Sequence, residues 1–298
     1  MSAADPNEYR RAACDQWSRS ADGWGKRIGD IQDWATPVTR WMLDALALQP
    51  GETVVELAAG PADIGLVAAE LVQPGGRVLI SDFADEMLDV ARARAADLNI
   101  ENVEFRRLDL ESIEIGAGLV DAALARWGLM LVADPEAGGR ELRRILRPGG
   151  RLALAVWDEP EENPWATIPT QELIERGLVP PRDPAGPGMF ALAPADKLRN
   201  LLEEAGFTDV EVEAVGLVRR QASAEEYLDV TLDLSRPLAD VMARIDPEQA
   251  AAVREGIKAR LAPYRDAGVR RFNLTPCASS AEEAVALAGE VKRLLATG

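Results

Sequence analysis

Histidine is absent from this chain, and cysteine occurs only twice in its 298 residues. Without histidine the chain lacks the side chain most often used as a general base near neutral pH, and also the usual nitrogen ligand of zinc. Cys14 and Cys277 lie far apart in the sequence. We therefore expect no disulfide framework, no metal site and a reducing cytoplasmic location.

Long apolar runs and an excess of positive charge are also absent. No stretch of about 18 apolar residues occurs, so no membrane-spanning helix is expected. Residues 1–6 lack the basic and then apolar pattern of a secretory signal. The net charge of −17, from 33 basic and 50 acidic residues, disfavours nucleic acid and anionic membranes as partners. We expect a cytoplasmic monomer or homodimer that acts on a small molecule.

A strand, a turn of small residues and a helix follow one another near residue 55. The β-branched run 53–55 predicts a buried strand, and residues 58–62 are alanine, glycine and proline. Apolar residues then recur at helical spacing, at Ile64, Val67, Ala68 and Leu71. The small side chains allow a ligand to approach the backbone, and the helix N-terminus presents free N–H groups. The stretch therefore predicts a nucleotide-binding elbow.

The charge of this elbow indicates which kind of ligand it binds. A dinucleotide fingerprint has glycine at the first, third and sixth turn positions, which are Ala58, Gly60 and Asp63 here. A carboxylate at the last position would repel a pyrophosphate, and Glu56 adds a second acid just before the turn. Two acids favour a ligand with positive charge and no phosphate, such as S-adenosylmethionine.

Apolar strands alternate with amphipathic helices along the chain. The predicted strands of this part are residues 53–58, 77–81, 103–107, 120–126 and 151–157. Strands that are apolar throughout predict one parallel sheet covered on both faces, which is a doubly wound α/β fold of the Rossmann-like type. We expect the 53–58 strand near its centre. Val210, Val212 and Val215 alternate like a sixth strand.

Composition divides the chain into five predicted segments. These are an N-terminal helical lid (1–35), a ligand-binding core (36–157), a proline-rich insertion on the substrate side (158–197), the end of the core sheet (198–223) and a helical C-terminal region (224–298). Gly23 and Gly25 are expected to interrupt the first helix, and Thr36-Pro37 to begin the next. The tryptophans of the first segment fit either an aromatic lid over a substrate pocket or a helix fixed to the sheet for stability.

Several motifs stand at predicted strand ends and turns, in the order 56–63, Ser81-Asp82-Phe83 with Met87-Leu88, Asp109-Leu110, Arg126-Trp127-Gly128 and 146–152. Over residues 36–218 this order resembles a class I S-adenosylmethionine-dependent methyltransferase, most closely the ubiquinone/menaquinone-biosynthesis type. The resemblance implies a mostly parallel seven-stranded sheet with helical insertions. It also implies S-adenosyl-L-methionine as cofactor and a small-molecule methyl acceptor.

Two departures from the family pattern stand out. Ala58 and Ala62 occupy positions that are usually the first and third glycines of the turn, and alanine tolerates positive φ poorly. The family fold ends in an antiparallel seventh strand, whereas here only residues 269–274 alternate before a helical pattern resumes.

The resemblance also assigns roles to residues around the elbow. Glu56 corresponds to the acid that holds the methionyl amino group, Asp82 to the acid that receives the ribose hydroxyls, and Asp109 to the acid near the adenine amino group. The resemblance also places Ala58 and Gly60 in the close turn, and Phe83 and Met87 in the apolar floor beneath adenine. It gives Leu110 a backbone contact with the cofactor and places Arg126 where the fourth strand would open toward the methionyl tail.

Structural alternatives exist for several of these residues. Asp82 could be the N-cap of the following helix, and Asp109 could be a turn residue. Met87 is equally compatible with a place in the hydrophobic core. Arg126 could form an ion pair with a nearby acid.

An aromatic or quinone-like acceptor would suit a pocket lined by Trp17, Trp24, Trp127 and Trp157. In-line displacement at a sulfonium requires positioning and exclusion of water more than a strong base. For a hydroxyl acceptor the candidate bases are Asp22, Asp158, Glu159 and Tyr9; the sequence does not rank them, so no residue is assigned as catalytic. Two other function classes stay open. One is a non-catalytic S-adenosylmethionine-binding or regulatory module. The other is a nucleotide-dependent oxidoreductase, against which the acids of the elbow argue.

Overall fold

A parallel β-sheet forms the centre of the computed structural model, which describes residues 5–181, 183 and 186–267. Its strands are β1 (Thr53–Glu56), β2 (Arg77–Asp82), β3 (Val103–Arg107), β4 (Val120–Arg126) and β5 (Leu146–Ala155). They lie in the order β3-β2-β1-β4-β5, and every neighbouring pair is parallel. The prediction of one parallel sheet with the first strand at its centre is confirmed. The order reverses between β1 and β4, which is where open α/β sheets form a ligand crevice.

Ten α-helices surround the sheet in the described part of the chain. They are α1 (Pro6–Lys26), α2 (Ile28–Leu46), α3 (Asp63–Leu71), α4 (Asp85–Asp97), α5 (Pro135–Ile145), α6 (Pro164–Glu175), α7 (Ala195–Glu204), α8 (Ala224–Leu234), α9 (Arg236–Arg244) and α10 (Pro247–Ala267). Helices α2 and α3 pack on the sheet and on each other, while α5 packs on β5 and α7. This layering covers the middle of the sheet and explains the apolar interiors of β1 and β4, which are Val54-Val55 and residues 122–125.

Two large hydrophobic clusters and a small third one occur in the described part of the chain. The larger one contains the sheet and the helices around it, with Val54, Val55 and Leu124 completely buried. The second large cluster joins α6 to α8, α9 and α10 through side chains such as Leu228 and Val253. Part of the proline-rich insertion is therefore packed together with the C-terminal helices, beside the main core.

The prediction of seven strands is wrong for the described residues, which contain five. Residues 208–222 form no strand, although Val210 and Leu217 are buried and Val212 and Val215 pack against the core. Alternating apolar residues predict which side chains are buried, but not whether the backbone pairs with a neighbouring strand. In this segment the side chains are buried and the backbone forms no strand hydrogen bonds. The candidate seventh strand at 269–274 lies outside the described residues.

Two predicted helix boundaries are also wrong. Helix α1 continues through Gly23 and Gly25. These glycines allow neighbouring helices to pack closely: a Cβ at Gly23 would lie 2.0 Å from the carbonyl oxygen of Asp233 in α8, and a Cβ at Gly25 would lie 3.1 Å from Val90 in α4. Helix α2 continues through Thr36-Pro37. Pro37 lies on the exposed face of α2, where water can bind the carbonyl group that loses its helical partner.

Candidate functional site

A cavity of about 830 Å³ opens at the carboxyl ends of β1, β2 and β4. Its size is in the upper part of the range for small-molecule sites. Every residue that the sequence predicted for cofactor or acceptor lines this cavity: Glu56, Ala58, Gly60, Asp82, Phe83, Met87, Asp109, Leu110, Arg126, Trp17, Trp24, Trp127 and Trp157. Parallel strands bring these side chains together because their carboxyl ends meet at one edge of the sheet.

Glu56 is the last residue of β1, and its carboxylate is buried beneath the elbow. Glu56 Oε2 accepts a hydrogen bond of 2.9 Å from the backbone N–H of Gly65 in α3. Burial, reinforced by the neighbouring carboxylate of Asp63, raises the pKa of Glu56 to about 8. Glycine at 65 is required because a Cβ there would lie 2.2 Å from Glu56 Oε2. The sequence analysis did not single out Gly65; its only signal was a glycine inside a predicted helix.

Asp82 ends β2 and orders the turn that follows β1. Its Oδ2 accepts from the backbone N–H of Gly60 at 2.9 Å, and its Oδ1 accepts from that of Ala84 at 3.0 Å. The N-cap of α4 is Ala84, so the alternative that Asp82 is the N-cap is wrong. Burial raises the pKa of Asp82. Each carboxylate oxygen keeps a second lone pair, which leaves Asp82 able to accept hydrogen bonds from a ligand.

The turn between β1 and α3 has an unusual backbone. Ala58, Gly60 and Ala62 have φ values of +50°, +53° and +59°. A left-handed conformation costs an L-residue roughly 1–2 kcal/mol, and strain of this kind concentrates at functional sites. The alanine methyl group at 58 is accommodated by Gly128, where a Cβ would lie 2.5 Å from the Cβ of Ala58.

Arg126, at the end of β4, forms a buried ion pair below the cavity. Its Nη2 lies 2.5 Å from Asp63 Oδ1, and its Nη1 donates to the hydroxyl of Thr39 in α2 at 2.9 Å. The guanidinium also lies 4.5 Å from the ring centre of Trp127. Arg126 therefore pairs with an acid, as the structural alternative anticipated, while it lines the cavity. Thr39 is a site residue that the sequence did not reveal.

The predicted adenine region combines turn and core features. Asp109 Oδ1 accepts from the backbone N–H of Glu111 at 2.9 Å, as in a turn. Met87 is 1% exposed and packs with Trp17 and Trp24 of α1. The backbone oxygen of Phe83 accepts from Nε of Arg107 at 3.0 Å. Leu110 is buried against the main core.

The tryptophans form two groups. Trp17 and Trp24 meet edge to face with their centres 5.6 Å apart. Trp127 and Trp157 are stacked, with centres 4.6 Å apart and planes 10° apart. Trp34 stacks on Trp127 at 5.1 Å, and Trp165 meets Trp157 edge to face at 5.0 Å. The sequence did not assign Trp34 and Trp165 to the pocket; it placed Trp34 only among the tryptophans of the predicted N-terminal helical segment.

Helix α1 forms one wall of the cavity and is attached to the surrounding structure. The hydroxyl of Tyr9 donates to the carbonyl oxygen of Leu131 at 2.7 Å. Arg10 pairs with Glu111 at 2.7 Å. Nε1 of Trp24 donates to the carbonyl oxygen of Leu234 at 3.1 Å. These contacts hold α1 against the ends of the strands and against α8.

Metal and membrane features were searched among the described residues. No group of three or more potential metal ligands occurs within 5–267 apart from the undescribed positions 182, 184 and 185. In the same residues no helix combines the length and the apolar character needed to cross a bilayer.

Comparison with known proteins matches this part of the chain to one family. Residues 33–166 match the model of the ubiE/COQ5 methyltransferase family. A demethylmenaquinone methyltransferase of Clavibacter sepedonicus is 35% identical over 133 residues, which are 45% of this chain and 51% of that protein. The ubiquinone/menaquinone biosynthesis C-methyltransferase UbiE of Klebsiella pneumoniae is 32% identical over 122 residues, which are 41% and 49% of the two chains. The chain spans about half the length of these relatives.

A solved structure agrees on the fold. A chain in the Haloferax volcanii complex between the Trm112 methyltransferase activator and a methyltransferase superposes with a TM-score of 0.55. The two are 20% identical, and the match covers 88% of this chain and 97% of that one. At this identity the likeness concerns the fold alone. The solved structure therefore supports the Rossmann-like fold, and residues 33–166 of this chain are similar to the ubiE/COQ5 methyltransferase family.

Proposed function

We propose that the protein transfers a methyl group from S-adenosylmethionine to a small aromatic or quinone-like molecule by in-line displacement. The proposal rests on one observation: the carboxylates of Glu56 and Asp82 and the stacked rings of Trp127 and Trp157 line the same cavity. One end of the cavity is polar and acidic, and the other is aromatic. The arrangement suits a polar, cationic cofactor that meets a flat apolar acceptor.

The carboxylates of the elbow, which accept hydrogen bonds, fit S-adenosylmethionine. Glu56 is buried and receives one backbone N–H, so an ammonium group nearby would satisfy its remaining lone pairs. Asp82 is fixed by two backbone N–H groups and can accept from a ribose diol. The bound cofactor would supply a methyl group already activated by a positively charged sulfur. No basic residue that would suit a pyrophosphate lies in the turn 58–62.

The remaining site residues position the reactants and exclude water. Arg126 neutralises Asp63 beneath the elbow, which leaves Glu56 and Asp82 as the acids of the elbow that face the ligand. Helix α1 covers the cavity with Trp17 and Trp24, and we infer that it acts as a lid. A dry, closed site brings sulfonium and acceptor together without competition from water.

The proline-rich insertion supplies the acceptor side. Trp165, Pro169, Met189 and Phe190 line the cavity opposite the elbow. The names of the curated relatives, which concern ubiquinone and menaquinone synthesis, support a quinone-like acceptor. Since the chain matches only about half of each relative, the acceptor is inferred chiefly from the aromatic wall of the cavity, which consists of Trp34, Trp127, Trp157 and Trp165.

Two measurements test the proposal. Calorimetry with S-adenosylhomocysteine measures cofactor binding directly, and failure to bind contradicts the proposal. Mass spectrometry of aromatic and quinone-like metabolites incubated with S-adenosylmethionine then detects a gained methyl group. Binding without turnover on any such acceptor would favour the non-catalytic binding module instead.

A further inference from the structure

Arg219 is a half-buried arginine beside the aromatic wall, and two of its guanidinium nitrogens are buried. It comes from the irregular segment 208–222 and lines the cavity. Its guanidinium carbon lies 4.6 Å from the ring centre of Trp165 and 5.6 Å from those of Trp34 and Tyr227. Neither the family motifs nor the sequence pattern singled out this residue.

The guanidinium of Arg219 has no counter-ion in the described part of the chain. Its Nε and Nη2 atoms are buried and have no hydrogen-bond partner among the residues that the structure describes. Burial lowers the pKa of Arg219, against the weaker opposing effects of Tyr227 and Asp30. Asp30 itself pairs with Arg27. Arginine stays charged even so, because its normal pKa is very high, and a buried charge without a partner is costly.

Other nitrogen atoms on the same wall share this condition. Within the described part of the chain, Nε1 of Trp34 and Nε1 of Trp127 are buried and have no hydrogen-bond partner, and both residues line the cavity. An indole N–H and a guanidinium N–H can only donate. The acceptor side of the cavity is therefore lined by residues whose buried donors lack acceptors, which favours a ligand that brings oxygen atoms.

We propose that the methyl acceptor is a planar aromatic anion. Its ring packs on the aromatic wall, and Arg219 binds its charged oxygen. This inference rests on the function proposed above and narrows its substrate class. A guanidinium fork matches a carboxylate in two-point geometry, and indole faces bind flat rings. The anion is either a ring carboxylate or an ionised ring hydroxyl, which present the same conjugated oxygen charge.

The overall charge of the protein does not oppose this inference. The net charge of −17 is spread over the whole chain, and at physiological salt exposed charges are screened beyond about 8 Å. Inside a cavity with apolar walls, a single buried cation has a stronger local effect. Arg219 is therefore the group that an entering anion would meet at the aromatic wall.

Matched pairs of probes test the proposal with the full chain saturated with S-adenosylhomocysteine. Calorimetry near neutral pH compares 2-naphthoate with uncharged 2-naphthamide, and ionised 2-hydroxy-1,4-naphthoquinone with its neutral 2-methoxy analogue. We expect the anion of at least one pair to bind roughly 10-fold tighter or more than its neutral partner, as hydrogen bonds to charged groups do. The pair that shows the larger ratio identifies carboxylate or hydroxyl as the charged group.

Variants then assign the preference to Arg219. Arg219→Met removes the charge and keeps an apolar chain against the rings, and it should abolish the preference while the neutral probes bind as before. Arg220→Met changes the exposed neighbouring arginine and should leave the preference unchanged. Arg219→Lys keeps a charge without the fork and should retain a weaker preference. It also serves if the methionine variant fails to fold.

Several results would overturn the inference. They are equal binding of charged and neutral probes by the wild type, no binding of any probe, a preference that survives Arg219→Met, and equal weakening of both probes by the folded Arg219 variants. The last result would mean that Arg219 only supports the aromatic cluster. Failure of S-adenosylhomocysteine to bind is a separate outcome, which contradicts the proposed function itself.

Discussion

Glu56 Oε2 and the backbone N–H of Gly65 are joined by a buried hydrogen bond of 2.9 Å, and a Cβ at Gly65 would lie 2.2 Å from the same oxygen. The carboxylate at the end of β1 and the first turn of α3 are therefore fitted to each other. Glu56 has its position only because residue 65 has no side chain.

Gly65→Ala should displace Glu56 and weaken both the fold and cofactor binding. We expect a loss of roughly 1–3 kcal/mol in the free energy of unfolding, as for other overpacked core positions. Denaturant unfolding and calorimetry with S-adenosylhomocysteine measure the two effects. Gly29→Ala is the control, because Gly29 is also helical and a Cβ there meets nothing within 4 Å. Equal effects of the two substitutions would contradict this account.

The raised pKa of Glu56 should make stability depend on pH. Its pKa is about 8 in the folded protein, against an ordinary value of 4.5, because burial and Asp63 outweigh the opposing charges of Arg126 and Arg94. Between these values the folded state binds more protons than the unfolded state, so stability falls as pH rises, by up to about 1.4 kcal/mol per pH unit. Glu56→Gln should remove this slope while other groups titrate as before. Parallel unfolding curves for wild type and variant across this pH range would refute the assignment.

Glu56 should also couple proton release to cofactor binding. A cationic amino group beside it favours the ionised carboxylate, so S-adenosylhomocysteine should bind more tightly as pH rises toward 8 and should release a proton below that value. Calorimetry in buffers of different ionisation enthalpy counts the released protons. Glu56→Gln should bind more weakly and release fewer of them. Unchanged proton release in the variant would mean that Glu56 does not face the amino group.

Asp82→Ala should weaken cofactor binding by roughly 1.5–3 kcal/mol, the range of hydrogen bonds to charged groups. Since Asp82 also holds the backbone of Gly60 and Ala84, Asp82→Asn is the sharper test. The amide can keep one of these bonds but loses the negative charge. Asp89→Ala, on the exposed face of α4, is the control. Unchanged affinity of both Asp82 variants in calorimetry would show that the residue only orders the turn.

A chain without residues 1–26 tests whether α1 is a lid. The main core begins at Ile31, so the truncated protein should fold, with lower stability, and should still bind S-adenosylhomocysteine. Methyl transfer should be lost, because α1 carries the wall with Trp17 and Trp24. Circular dichroism, calorimetry and the methylation assay separate these effects. Loss of folding would indicate that α1 is a structural support, and full activity would show that it is no lid.

The arrangement of the sheet, and the edge at which the site lies, follow from the amino-acid sequence alone. Apolar strands of fixed spacing, separated by amphipathic helices, allow one main arrangement, and parallel strands place their carboxyl ends together. Acids such as Glu56 and Asp82, each at the end of a strand, could therefore be placed in one cavity from their positions in the chain. Their roles toward the cofactor and the five-segment division of the chain stay predictions, which the variants above address.

Other contacts in and around the cavity depend on tertiary packing and could not be predicted from the sequence pattern. Val210, Val212 and Val215 alternate like a strand, yet only their side chains are used, since a pattern of burial does not specify backbone pairing. Gly23 was expected to break a helix, but it serves a close approach to α8 that no local pattern encodes. Arg219 reaches the aromatic wall from an irregular segment far along the chain. Contacts of this kind depend on how distant elements pack in three dimensions, and sequence periodicity carries no information about them.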